Sequence, residues 1–437
     1  MPFSGKTVTE ERGLRIKACE SVGARELQRG HKEVIRMHIP DNYLSPQTCA
    51  VMTAVCVPAW IISIRKVRGE LPKEKVSMMG AAAALSFLGM MFNVPLPGGT
   101  TGHAVGGTLA AILLGPYAAC ISISTALLLQ ALIFGDGGIL AFGANCFNMA
   151  LVLPFVGYAL YRLLTKGAAA GTSSSEASPM QGKENGTSEK RRILAAAVRK
   201  DGSGISEKRR LIAAGIASYV GINAAALCAA IEFGIQPLLF RDAAGQPMYC
   251  PYDLSVSIPA MMAGHLSIFG LAEVVFTVLI LAFCDKVGVS AAESVKTDVP
   301  SNAAMDDEMP AAGAAMDDEM PAAGAALASA APDEEKKGSR AVGILIACLI
   351  VFTPIGLLAE GTAWGEWGTD EIVEMAGYTP AGMTGGFEWS SLLPDYSVGN
   401  LPEWFGYILS AVIGAAALII IFKLFSNGKK TGTEQTA

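Results

Sequence analysis

The stretch LSPQTCAVMTAVCVPAWIISI at 44–64, followed at once by RKVRGELPKEK at 65–75, decides the fold class. The first part carries no charge and is as long as the ~20 apolar residues a helix needs to cross hydrocarbon. The second part holds Arg65, Lys66, Arg68, Lys73 and Lys75, and such a basic cluster marks the cytoplasmic end of a span. Similar apolar stretches follow at about 76–93, 103–117, 119–134, 139–163, 209–235, 258–284, 340–358 and 404–424. The third and fourth are separated only by Gly115-Pro116, and two tilted short spans are expected there in place of one re-entrant hairpin. Arg162 to Arg210 contains eleven Lys/Arg against five Asp/Glu, a second cytoplasmic anchor, and Lys423, Lys429 and Lys430 form a third. An all-α polytopic protein of the cell membrane satisfies all three, with about nine transmembrane helices, the N-terminal side outside and the C-terminus in the cytoplasm.

Composition agrees. Of 437 residues, 51% are hydrophobic and only 16% charged, against roughly 25% charged in soluble proteins, and the mean hydropathy is +0.41. Forty-eight glycines suit close helix packing in lipid. A soluble enzyme, a nucleic-acid binder and a disordered scaffold are excluded; the lipid bilayer is the expected surrounding. The net charge of −6 is local, because ten acids and no Lys or Arg lie between Asp298 and Glu335, and the remainder of the chain carries +4. The nine cysteines include no C-x-x-C pair, so they read as small buried hydrophobes.

Two low-complexity segments divide the chain. One, at 165–208, contains SEKRRILAAAV at 188–198, echoed by SEKRRLIAAGI at 206–216; the other, at 286–339, contains AAMDDEMPAAG at 303–313 and again at 314–324. Both are expected to be disordered linkers. They leave a body at 37–285 and a second module at 340–437.

Three of the four histidines fall in or beside spans. His38 precedes the first span, His103 begins the third, and His265 lies near the start of the seventh, all toward the outer face. An ionisable residue in a span is a functional-site candidate, although each of these could equally satisfy an ordinary interhelical hydrogen bond.

The motifs MHIPDNYLSP at 37–46, NVPLPGGTTGH at 93–103 and FGDGGILAFGANCFNMA at 134–150 resemble the signatures of the CbiM/NikM family. These are substrate-binding components of energy-coupling-factor transporters for cobalt and nickel. PIGLLAEGTAWGEWG at 354–368 and LLPDYSVGN at 392–400 resemble an accessory module of the PDGLE or CbiN/NikN type, here fused, although the PDGLE string itself is not present. The resemblance implies Co(II) or Ni(II) as transported substrate, no organic cofactor, and two kinds of partner: a membrane-embedded coupling subunit and cytoplasmic ABC-type ATPases. The chain itself contains no G-x-x-x-x-G-K-[ST] string, so ATP hydrolysis is expected of partners and not of this polypeptide. A metal-binding membrane sensor or a stand-alone channel is the alternative.

The resemblance also implies a ligand set. A chain starting at Met37 offers its free amine, the amide nitrogen of His38 and the His38 imidazole, which close adjoining five- and six-membered chelate rings. His103 adds a fourth nitrogen. Four coplanar nitrogens suit Ni(II) and Co(II) better than Zn(II). Residues 1–36 conflict with this, because an extension converts the Met37 amine into a peptide nitrogen. They carry eight Lys/Arg and five acids without an apolar core, which is no signal peptide. The expectation is that translation begins at Met37, and that 1–36 is a mis-assigned extension.

Further residues are secondary. Asp136 is expected either to orient His38 or His103 as a hydrogen-bond acceptor or to cap a helix. Asn145 and Asn148 share a helix face and should bond between helices or to the buried N-terminal segment. His265 and Glu273, eight residues apart, are placed on one side of a helix, with an interhelical polar contact favoured over metal binding. Gly80 and Ala84 form a small-residue stripe that suits either the coupling subunit or the protein's own bundle. The loop at 359–403 has Trp364, Trp367 and Asp395 but no His or Cys; it is expected to assist loading without holding metal tightly.

Overall fold

Apolar stretches in hydrocarbon must satisfy their backbone groups internally, which leaves helices as the solution for spans of this composition. The computed structural model describes residues 38–71, 73–96, 100–166, 206–287, 331–359, 362–399 and 401–427, and it is mostly helical. Helix α1 is Pro46–Glu70 and α2 is Lys73–Met91. A two-stranded hairpin follows, β1 (Val94–Leu96) paired antiparallel with β2 (Thr100–Gly102). Then come α3 (Gly107–Leu114), α4 (Pro116–Phe134), α5 (Phe142–Lys166), α6 (Glu207–Gly234) and α7 (Leu254–Lys286). The second module supplies α8 (Ala331–Phe352), the short α9 (Thr369–Ala376) and α10 (Glu403–Asn427).

Local chemistry sets these ends. Ser45 accepts the Thr48 N–H at the start of α1 with Pro46 behind it, the arrangement that satisfies the first free amides of a helix. Ser206 caps α6 in the same way through Arg209. Among the described residues seven helices are long and apolar enough to cross a membrane. Their outer faces keep large apolar side chains exposed, such as Leu279 on α7 and Ile344 on α8, both at 64%, which only lipid accommodates at this density.

The third expected span, 103–117, is corrected in form. Its helix is only eight residues, about 12 Å at 1.5 Å per residue, and too short to cross alone. It works because the chain enters by the hairpin and an extended turn, and α3 then lies wholly buried. Thr108 rests where Gly157 of α5 and Gly221 of α6 leave no side chain in its way. The second candidate, α2, is also short in its apolar part, Lys75–Met91.

The loops gather at two ends of the bundle. At one end, residues near 38–45, 100–103, 135–141, 250 and 364–396 touch one another. At the other, Arg209 donates to the Leu164 carbonyl at 3.2 Å and Arg210 pairs with Asp285 at 2.6 Å.

Two further corrections concern boundaries and contacts. The helices reach into both expected linkers, α5 to Lys166, α6 from Glu207, α7 to Lys286 and α8 from Ala331. The repeats at 188–198, 303–313 and 314–324, the extension 1–36 and Met37 lie outside the described residues. The stripe of Gly80 and Ala84 is not left for a coupling subunit. A Cβ on Gly80 would sit 3.1 Å from Phe422 Cβ and 3.2 Å from Ile419 Cα, both on α10, and Ala84 is completely buried. Small residues bring helices close in lipid, and here they seat the second module along α2. Eight cysteines are free among the described residues and six are buried.

Candidate metal centre

The segment His38–Ser45 carries the first motif down into the mouth of the bundle: His38, Ile39, Tyr43, Leu44 and Ser45 are each 3% exposed or less. Its polar groups are met one by one. Asp41 accepts from the Leu140 N–H at 2.7 Å and the Ile139 N–H at 3.1 Å. Asn145 holds Ile39 from both sides, its Oδ1 accepting the Ile39 N–H and its Nδ2 donating to the Ile39 carbonyl, both at 3.1 Å. Gln236 Oε1 accepts the Ser45 N–H at 3.0 Å. The glycines of the third motif let the segment in. Gly137 has φ +90°, and a Cβ there would lie 2.9 Å from His38 Cβ.

The outcome is an imidazole pair, His38 buried and His103 half-buried. His38 and His103, 65 residues apart in sequence, have ring centroids 5.2 Å apart at 64°. His38 is 1% exposed, and its Nδ1 donates to Asp136 Oδ1 at 3.0 Å. Its Nε2 is buried with no hydrogen-bond partner. Leaving a buried polar atom unmet costs about 1–3 kcal/mol, a cost an electrophile in that position would offset. Asp136 lies against the His38 ring and gathers further donors. Gln130 Nε2 donates to Asp136 Oδ2 at 3.3 Å and Tyr396 Oη donates to the same oxygen at 2.5 Å. Burial alone would raise this carboxyl, but His38 beside it and the Tyr396 hydrogen bond hold it below the ordinary range, so it stays ionised. Replacing Asp136 with Asn should weaken metal binding roughly 10–100-fold, the usual effect of removing a carboxylate behind a ligating imidazole; equilibrium titration with NiCl2 measures it.

His103 owes its position to Glu273. Both Glu273 oxygens accept the Gly106 N–H, at 3.1 and 3.0 Å, and Oε2 also accepts the Val105 N–H at 2.8 Å. The carboxylate thereby caps the positive end of α3, three residues after His103. It makes no pair with His265. That residue bonds the Met261 carbonyl of its own helix at 2.9 Å, so the expected interhelical contact is not the one formed. A π-helical turn at His265–Phe269 separates the two in register. Asn148 does bond between helices, donating to Glu232 Oε2 at 3.0 Å.

Sequence reasoning passed over Gln130, Asp41, Gln236, Glu366 and Tyr396. One signal is local: π-helical turns at Gln130–Phe134, Cys146–Val152 and His265–Phe269 all border this region, and such turns gather at functional sites. Tyr396 is marked by a positive φ of 57°, beside Asp395 at 54°. A partly open cavity of about 120 Å³ runs from His103 to His265, with Asn148, Trp364 and Glu366 also on its wall. Among the described residues no three His, Cys, Asp or Glu side chains form a metal-binding cluster.

Comparison with known proteins follows the same division of the chain. The family model for the cobalt uptake substrate-specific transmembrane region, CbiM, matches residues 38–182 and 190–290, and that for the PDGLE domain matches 339–427. The fused nickel transport protein NikMN of Rhodobacter capsulatus is 42% identical over 88% of this chain and 95% of its own length. The relative named "Probable fused nickel transport protein LarMN" in Lactiplantibacillus plantarum is 39% identical, over 91% and 99%. A crystal structure of a transition metal transporter is 47% identical and covers 57% of this chain and 93% of that one, with a TM-score of 0.46.

Proposed function

Because the chain belongs to the CbiM family of cobalt uptake transmembrane proteins and carries a PDGLE domain in the same polypeptide, we propose that it is the substrate-binding component of an ATP-driven nickel or cobalt uptake transporter. It is a metal uptake component of the cell membrane and not itself an enzyme. The observation that carries the reading is the His38–His103 pair, with the buried His38 Nε2 unpartnered.

In this proposal Ni(II) or Co(II) is the substrate, held by the Met37 amine, the His38 amide nitrogen and imidazole, and the His103 imidazole. The six-membered chelate ring closes through His38 Nδ1, the nitrogen that faces Asp136 at 3.0 Å. A half-turn of the imidazole about Cβ–Cγ, nearly isosteric, presents Nδ1 to the ion and turns Nε2 toward Asp136. The carboxylate then supports the ring in either orientation and balances part of the ion's charge. Square-planar nitrogen favours Ni(II) over Zn(II). Energy comes from partners: a membrane-embedded coupling subunit and cytoplasmic ATPases. With Gly80 covered by α10 and Ala84 buried, the coupling subunit meets a different face. The loop of the second module assists loading, since Asn42 of the first motif accepts the Phe387 N–H at 3.0 Å and donates to its carbonyl at 2.9 Å.

The test is titration of the purified protein with NiCl2 and CoCl2 across pH. Imidazole, amine and amide must all lose protons to bind, so affinity should fall steeply as pH drops from 8 toward 6, roughly a tenfold loss or more per pH unit. Binding independent of pH would contradict the nitrogen ligand set.

A further inference from the structure

Glu366 comes from the second module, yet it stands on the wall of the cavity that His103 lines. The turn carrying it is fastened from several sides. The Glu366 N–H donates to the Ala363 carbonyl at 3.0 Å, closing the turn. Gly365 has φ +83°, and a Cβ there would be 2.7 Å from the Phe233 ring, so no other residue fits without displacement. The Trp364 N–H donates to Thr100 Oγ1 at 2.9 Å, three residues before His103. Trp364 also packs on Trp367, ring centroids 5.4 Å apart, and on Tyr252 at 5.5 Å. Held so firmly, the carboxylate still ends without a hydrogen bond: its Oε2 is buried and unpartnered. Of the other acids near the site, Glu232 alone shares this feature, its Oε2 accepting from Asn148 while its Oε1 is buried and unpartnered. Asp41 binds two amides, Asp136 binds His38, Gln130 and Tyr396, and Glu273 binds two amides.

We propose that Glu366 is a loading ligand, which takes a divalent transition-metal ion through its carboxylate and passes it across the shared cavity to the His38–His103 centre. This rests on the reading of that centre as the metal site. A lone carboxylate binds Ni(II) and Co(II) more weakly than imidazole and amine together, so transfer inward is downhill. A ligand on the path speeds passage in both directions and leaves the equilibrium nearly untouched.

The experiment uses the full chain and its Glu366→Gln variant, mixed rapidly with NiCl2 and followed by quenching of tryptophan fluorescence, together with an equilibrium titration of each. The expected result is an association rate lower by roughly tenfold, as removal of a ligand on the entry path acts on the on-rate, with the dissociation constant changed less than about threefold. Glu366→Asp keeps the carboxylate and should recover much of the rate. An association rate for the Gln variant equal to the parent's would overturn the proposal, as would equal slowing in the Gln and Asp variants. The underlying reading is tested separately by His103→Ala: equilibrium binding unchanged in that variant removes the metal centre itself, whatever Glu366 does.

Discussion

Replacing His103 with alanine should lower the equilibrium affinity for Ni(II) on the order of a thousandfold, about 4 kcal/mol at 1.4 kcal/mol per tenfold, while the protein remains folded. The reasoning separates ligand from scaffold. His103 stands at the end of the β-hairpin, and its neighbours Val105 and Gly106 are held by Glu273 through backbone amides that an alanine at 103 leaves intact. Truncating the ring therefore removes the second imidazole without loosening α3. Chelator-competition titration gives the affinity, and thermal unfolding reports the fold. An affinity within threefold of the parent would move the metal site elsewhere.

The second large effect concerns a residue with no ligating atom. Gly137→Ala should weaken Ni(II) binding roughly a hundredfold, comparable to loss of a strong supporting contact. Gly137 adopts φ +90°, a conformation costly for any residue with a Cβ, and the new methyl group would lie 2.9 Å from His38 Cβ. Both the loop and the imidazole must shift, and the His38–Asp136 hydrogen bond is the contact in the way. Alanine at Gly245, a surface glycine with φ +82° and no atom within 4 Å of its Cβ, shares the backbone strain without the clash. Its metal affinity should be unchanged. Equal losses in the two variants would show that destabilisation, and not displacement of His38, is responsible.

Much of this arrangement can be read from the chain. Apolar length and basic clusters place the helices, and the three motifs meet at one mouth because alternation of spans puts His38, His103 and Asp136 on the same face. Where reading stops, the reason is physical. Hydrophobicity reports that 103–117 is buried but not whether it is helix or extended entry, so α3 is shorter than its apolar run. Small residues at Gly80 and Ala84 announce a close helix without naming it; the neighbour at Gly80, α10, lies more than 300 residues away. Glu273 binds main-chain amides, which have no sequence signature. Tyr396 and Gln130 converge on Asp136 from positions 266 residues apart, and Glu366 reaches the cavity from the far side of an acidic linker. The α10, Tyr396 and Glu366 contacts join the second module to the first, so the second module takes part in the candidate metal centre through Tyr396 as well as covering it.

The central claim is that a chelating N-terminus supplies the metal site, and one comparison tests it most directly. Protein beginning at Met37 and the same protein with a single alanine placed before Met37 are titrated with NiCl2. The account predicts tight binding by the first and affinity lower by roughly a hundredfold or more in the second, because the added residue turns the terminal amine into a peptide nitrogen that must itself lose a proton to bind. Equal affinity in the two proteins would contradict it and remove the Met37 amine from the centre.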